Sequence, residues 1–177
     1  MVHKNVWNKE AALKALDWLE AQYAPGEVFA YDGHGDCWLM LAVMYRLRDR
    51  DIQAYIGAFG NSLPIRACKT EGEPPEKQSC TFEVAEQGDD VLVTVHLSPD
   101  AGPFDCPMDE IVAPALPAGK NIYLRLDGRH LLNLFPLALT YGDTCRTLCV
   151  DYADECVCSV SHVPEVETGD HVTCPFA

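Results

Sequence analysis

Two stretches of this chain repeat one unit. Residues 26–59 read GEVFAYDGHGDCWLMLAVMYRLRDRDIQAYIGAF, and residues 119–152 read GKNIYLRLDGRHLLNLFPLALTYGDTCRTLCVDY. Each has a β-rich run, an Asp-Gly with a histidine within two residues, an apolar run, a charged turn and a second β-rich run. That order predicts strand, polar loop, helix, strand. Asp32-Gly33-His34 and Asp127-Gly128-Arg129-His130 both fall where a strand hands over to a helix. In open α/β sheets that edge is where ligands bind. Helix N-termini there offer unpaired N–H groups and the positive end of a dipole. The chain is therefore expected to be α/β (α+β), with two related units and two candidate polar loops.

Charge narrows the partners. The 177 residues carry a formal net charge of −14. Such a chain repels long nucleic acid and anionic membranes unless its basic residues cluster. The densest basic group, Arg46, Arg48 and Arg50, is interleaved with Asp49 and Asp51. Long nucleic acid and membranes are thus disfavoured, while a short anionic ligand remains compatible with a locally positive loop. Hydrophobic content of 48% supplies a core, and charged content of 23% argues against global disorder.

The N-terminal residues MVHKNVWNKEAALKALDWLE form a polar amphipathic segment without an apolar signal core. No apolar run reaches membrane-spanning length. A cytoplasmic location with reduced thiols is the expectation. The nine cysteines are an odd number, which argues against a complete disulfide set. Cys156-x-Cys158 would share one face of a strand, with Cys145 and Cys149 on the strand before. Such thiols either pack as small apolar groups, which cysteine's burial preference favours, or hold zinc, for which the spacing departs from the common knuckles.

Helical spacing of Ala11, Leu13, Leu16, Trp18 and Leu19 predicts a helix over 8–22, capped by Asn5 or Asn8 and stopped at Pro25-Gly26. Residues 27–31 and 52–59 read as strands around a helix over 36–48, and 63–68 as a strand pairing with 52–59. Lys69–Gln78 (KTEGEPPEKQ) reads as a linker. Residues 80–85 and 91–97 form a hairpin around Gln87-Gly88-Asp89-Asp90. A short helix over 105–113, a strand over 120–126, a helix over 130–141 kinked by Pro136, and a closing hairpin of 146–151 with 155–161 complete the chain. The expected domains are a first half-unit (αβαβ) at 1–70, a linker at 71–78 and a second unit (ββαβαββ) at 79–177.

The second half resembles a known family. Phe82-x-Val84 with Val91–His96 is similar to its opening hairpin. GKNIYLRLDG at 119–128, followed by Arg129, is similar to its strand and Gly-Arg loop. CVDYADECVCSVSH at 149–162 is similar to its closing hairpin, and Glu167-Thr168-Gly169-Asp170 to its final turn. The family is that of the small, metal-dependent CRISPR-associated ring nucleases of type III systems, which open cyclic tetra-adenylate. The resemblance covers roughly residues 79–173, with the first half as an internal, degenerate copy. It implies ferredoxin-like units in tandem, a homodimer or higher homo-oligomer, a small cyclic RNA ligand in antiviral defence, and manganese. Carried over by position, Asp151 and His162 would be metal ligands and catalytic groups, and Arg129 and Ser161 ligand contacts. Three positions depart from the pattern. The family's helix has histidine where this chain has Phe135, an arginine stands where Ala153 is, and a small residue where His130 is.

Bottom-up chemistry points to overlapping residues. Opening an RNA phosphodiester needs an aligned nucleophile and stabilisation of the phosphorane oxygens. A hard cation on Asp and His side chains performs the second task. Asp127, Asp151, His130 and His162 supply suitable groups, with His130 a third catalytic candidate; Arg129 suits a phosphate and Gly128 a close backbone approach. In the first copy Asp32, His34 and Gly35 are further ligand contacts. Each also has a plain role: Asp127-Gly128 as a turn with a helix cap, Asp151 as the start of a hairpin turn, and Asp36 as the cap of a glycine-rich turn. Three functions follow: a cyclic oligoadenylate binder that hydrolyses its ligand as a phosphodiesterase, a non-catalytic binding or regulatory module of the same fold, or an unrelated metal-dependent hydrolase.

Overall fold

Asn8 opens the first helix as its sequence position predicts: its side chain accepts from the Ala11 N–H at 3.1 Å. The computed structural model describes residues 8–31, 35–56, 61–102, 105–127, 131–152 and 155–176. In chain order the elements are α1 (Lys9–Gln22), β1 (Val28–Tyr31), α2 (Cys37–Arg46), β2 (Asp51–Ile56), β3 (Asn61–Pro64), β4 (Cys80–Gln87), β5 (Asp90–Leu97), β6 (Asn121–Asp127), α3 (Phe135–Tyr141), β7 (Thr147–Tyr152) and β8 (Glu155–Ser161). Short 3₁₀ turns lie at Met108–Glu110, where a longer helix was expected, and at Leu131–Leu134. Pro136 does not kink a long helix. It sits in the first turn of α3, where its missing N–H removes no helical bond.

Both repeated stretches are parallel strand–helix–strand units. In the first, β1 pairs with β2 from Val28↔Asp51 to Tyr31↔Ala54; in the second, β6 pairs with β7 from Asn121↔Thr147 to Arg125↔Asp151. They belong to different sheets: β1-β2-β3, and β4-β5-β6-β7-β8. In the larger sheet β5, β6 and β7 are parallel and directly adjacent, with antiparallel β4 and β8 outside them. A ferredoxin-like unit splits its parallel strands with another between them. The expectation of two ferredoxin-like copies therefore does not describe this strand order; the coarser α/β reading does. At the β4–β5 turn Gly88 takes φ +64°, the left-handed conformation that a tight hairpin requires.

One core joins the two halves. Leu16 of α1, Leu41 and Met44 of α2 and Ile52 of β2 belong to the same buried cluster as Val93, Leu124, Phe135 and Leu148. Tyr31 meets Phe135 edge to face at 5.7 Å. The Cys68 N–H donates to Thr140 Oγ1 at 2.9 Å. The segment read as a linker is tied at both ends. Lys69 exchanges backbone bonds with Ile111 and Ala113, and buried Gln78 bonds Cys80 O and the Val112 N–H. Lys9 of α1 reaches Glu167 and Asp170 of the final turn, each at 2.6 Å.

Two outcomes test this arrangement. Phe135 is 1% exposed, so Phe135→Ala should cost about 3–5 kcal/mol. Tryptophan fluorescence, from Trp7, Trp18 and Trp38, and far-UV circular dichroism should still report one shared urea transition. The Lys9 ammonium, then the Glu167 N–H, hold the Asp170 carboxyl below its ordinary value of 3.8. That contribution is complete above 3.8 and lost as pH falls below it, so acidifying from about pH 5 to about pH 2 should lower Tm more in wild type than in Asp170→Asn.

Candidate functional site

Strand alternation divides the polar from the apolar residues of the large sheet. On one face Val91, Val93 and Val95 of β5 align with Ile122, Leu124 and Leu126 of β6 and enter the core. On the other, register places whole rows side by side. Ala85, Leu92, Tyr123, Cys149 and Cys158 form an apolar row across all five strands. The next row is Glu83, Thr94, Arg125, Asp151 and Cys156. Beyond it, His96 pairs with Asp127 at the carboxyl edge of the two parallel strands.

These rows line a cavity of about 400 Å³, walled by Glu83, Ala85, Leu92, Thr94, His96, Arg125, Leu126 and Asp127. His96, one of these walls, lies between two carboxylates. Its Nε2 lies 3.3 Å from Glu83 Oε2 and its Nδ1 3.2 Å from Asp127 Oδ2. Both bonds are made at once only by a ring protonated on both nitrogens. The carboxylates are about three-quarters exposed, and the imidazole side chain is 38% exposed. Beside them Arg125 grips Asp151 Oδ2 through Nε at 2.7 Å and Nη2 at 2.5 Å. The same guanidinium donates to Phe176 O at 3.1 Å. The Asp151 bond holds Arg125 further above its ordinary value, so the cation is permanent.

The C-terminal segment covers the rest of this face. The Cys158 N–H donates to Asp170 O and the Val172 N–H to Cys156 O, both at 2.9 Å, extending the sheet beside β8. Phe176 then meets Tyr123 at 6.1 Å. Burial in this layer pushes the Tyr123 hydroxyl well above its ordinary value.

The sequence-predicted residues separate into three groups. Asp32, His34, Gly128, Arg129 and His130 lie outside the described residues, as does Ala153. Asp151 is in the polar row, but its carboxylate is engaged by Arg125 and its side chain is 17% exposed. Ser161 and His162 lie at the opposite end of the hairpin. The His162 N–H donates to Arg146 O, whereas Asp151 pairs with Cys156. Five residues along β7 separate those levels by about 16 Å. His162 Nε2 is 2.7 Å from Gly142 O, and its ring meets Tyr45 of α2 edge to face. Ser161 Oγ donates to Val166 O and accepts from the Val163 N–H, closing a turn. Gly35 leaves room for Met40, whose Cε would stand 2.8 Å from a β-carbon there.

Asp151 and His162 of one chain thus do not fit a shared manganese ion. Among the described residues no group of three His, Cys, Asp or Glu side chains is arranged to hold a metal. Nor do the four thiols expected together stay together. Cys145 is in the main core, while Cys149, Cys156 and Cys158 share the other face with Cys174. Glu83, His96 and Arg125 were missed in sequence. Their signal was alternation: T-V-H in β5 and R-L-D in β6 put polar groups on one face of strands whose other face is entirely apolar.

No protein-family model, curated protein or solved structure matches this chain.

The Asp151–Arg125 pair also fastens the C-terminal segment. Asp151→Asn should cost about 1.5–3 kcal/mol in urea unfolding, the range for a charged hydrogen bond, and should speed proteolysis within 163–176. His162→Ala should leave that proteolysis unchanged.

Proposed function

We propose that the polar face of the five-stranded sheet binds a compact phosphate-bearing ring, a cyclic oligoadenylate, and that His96 is the proton-transfer group for opening it. The observation that carries this reading is the cavity at the carboxyl edge of adjacent parallel strands, with His96 between two carboxylates beside Arg125. The Gly128-Arg129-His130 segment continues directly from Asp127, one wall of that cavity. The resemblance of residues 79–173 to the ring nucleases supplies the ligand class. In this reading a phosphate meets Arg125 and Arg129, and His96 in its neutral form, one nitrogen turned from its carboxylate, takes the proton of the ring's 2′-hydroxyl as that oxygen attacks the adjacent phosphorus; the P–O5′ bond breaks and the 5′-oxygen leaves with a proton from solvent. Glu83 and Asp127 then stabilise the imidazolium that forms. A small ring suits this chain better than linear RNA, because the net charge of −14 repels an extended polyanion. A homodimer or higher homo-oligomer belongs to the same reading.

A second reading, a binding module without turnover, draws on one feature of the site. Both nitrogens of His96 already face carboxylates, so the ring must release one of them before it accepts a proton.

Labelled cyclic tetra-adenylate, with manganese and with chelator in parallel, tests both. Ring opening should fall about a hundredfold or more in His96→Ala with binding retained. Arg129→Ala should chiefly weaken binding. Binding without opening by the wild type under either condition replaces the enzyme with the binder. Absence of binding, or equal binding of linear RNA, overturns both.

A further inference from the structure

Four of the nine cysteines meet on the second face of the large sheet. Cys149 and Cys158 stand opposite each other across β7 and β8 and are enclosed. Cys149 is in hydrogen-bond contact with Cys156 and Cys158. Cys156, one alternation along β8 from Cys158 and in the polar row, also contacts the sulfur of Cys174. Cys174 is half-buried and belongs to the segment lying beside β8. The rung from the Val172 N–H to Cys156 O brings that segment against Cys156, and Arg125 Nη2 lies 4.0 Å from Cys174 Sγ.

We propose that Cys156 and Cys174 are an oxidisable dithiol, which a hydroperoxide converts into a disulfide fastening the C-terminal segment to β8. The Cys156 thiolate attacks a peroxide oxygen. The O–O bond breaks, leaving a sulfenic acid on Cys156 and releasing hydroxide. Cys174 sulfur then attacks the Cys156 sulfur, the S–O bond breaks, and the departing hydroxide leaves with the Cys174 proton as water. Two thiols lose two electrons, and hydrogen peroxide is reduced to two waters.

Local geometry assigns the roles. The Cys149 thiol donates to the Cys156 sulfur, which holds Cys156 below its ordinary value and pushes Cys149 up. A sulfur richer in thiolate is the attacking one. Cys149 is a poor resolving partner because register sets it opposite Cys158, and both strands are locked in the sheet. Cys174 stands two residues beyond the last sheet-like rung of its segment, so no described ladder hydrogen bond fixes its backbone to β8. Thiol chemistry is favoured over a soft metal ion because the four sulfurs are not arranged around a common centre.

The test treats the full reduced chain with hydrogen peroxide, alkylates it and cleaves it after glutamate without reductant. Cleavage after Glu155, Glu165 and Glu167 places Cys156 and Cys158 in residues 156–165, and Cys174 in 168–177. The expected result is loss of two free thiols of nine and a cross-linked pair of these fragments, retained in Cys158→Ser and absent in Cys156→Ser. Cys174→Ser should instead give a Cys156 sulfenic acid that dimedone traps, with an unchanged circular dichroism spectrum. The proposal is overturned if the link uses Cys158, if peroxide consumes no thiols pairwise, or if the purified chain carries stoichiometric zinc that protects all four thiols. Should Cys174→Ser fail to fold, the wild-type and Cys158→Ser maps still decide the question.

Discussion

Helix α2 is apolar around most of its circumference, and the rest of the structure follows from enclosing it. Cys37, Leu39, Leu41, Ala42, Val43 and Met44 are all buried. A helix of this kind cannot rest on a surface with one face in water. Each large aliphatic side chain left exposed would forfeit about 1.5–3 kcal/mol. Helix α1, α3 and the β7–β8 hairpin supply the walls. The first half is therefore bound to the second through a shared core. Enclosure also decides what happens around it: Tyr45, at the end of α2, lands against His162 and donates to Asp143. The Ser161–His162 end of the closing hairpin is thereby packed against the first half.

The five-stranded sheet divides its chemistry by parity. Its apolar face answers the helices. Its other face carries one apolar row, one charged row and the His96–Asp127 pair at the carboxyl edge. The C-terminal segment covers the β7–β8 side through Phe176, Val172 and Cys174, and the β4–β5–β6 side stays open as the cavity. Arg125 is common to both regions. It lines the cavity, neutralises Asp151, holds Phe176 O and touches Cys174. The cavity and the thiol cluster thus meet at one guanidinium. Removing it would strand the poorly exposed Asp151 carboxylate, so Asp151 reads here as the residue that holds Arg125 in place.

Much of the fold was legible in the sequence because its signals are local. The Asn8 cap, the Pro25-Gly26 stop, the Gly88 turn and the periodicities of α2, β5, β6 and β7 act within a few residues of themselves. The strand–helix–strand order of both repeats was legible for the same reason. What failed depended on partners distant in sequence. Lys69–Gln78 looks like a linker by composition, yet its ends bond to residues 111–113, which no local pattern announces. The run over 105–113 forms only a 3₁₀ turn, because Pro107 interrupts it. Ferredoxin-like pairing fails because strand order is chosen by the sheet as a whole.

The site divides along the same line. Sequence by itself determined which residue types were available and that a strand–helix–strand order recurs around the two Asp-Gly stretches. Tertiary structure alone decided which of them meet. Cross-strand register brings Glu83 and Asp127 to His96 and gives Asp151 to Arg125, while the antiparallel hairpin carries His162 to the far end from Asp151. It also exchanges Cys145 for Cys174 in the thiol group. The physical reason is that side-chain direction is set locally by backbone geometry, whereas side-chain neighbours are set by hydrogen bonding between segments tens of residues apart.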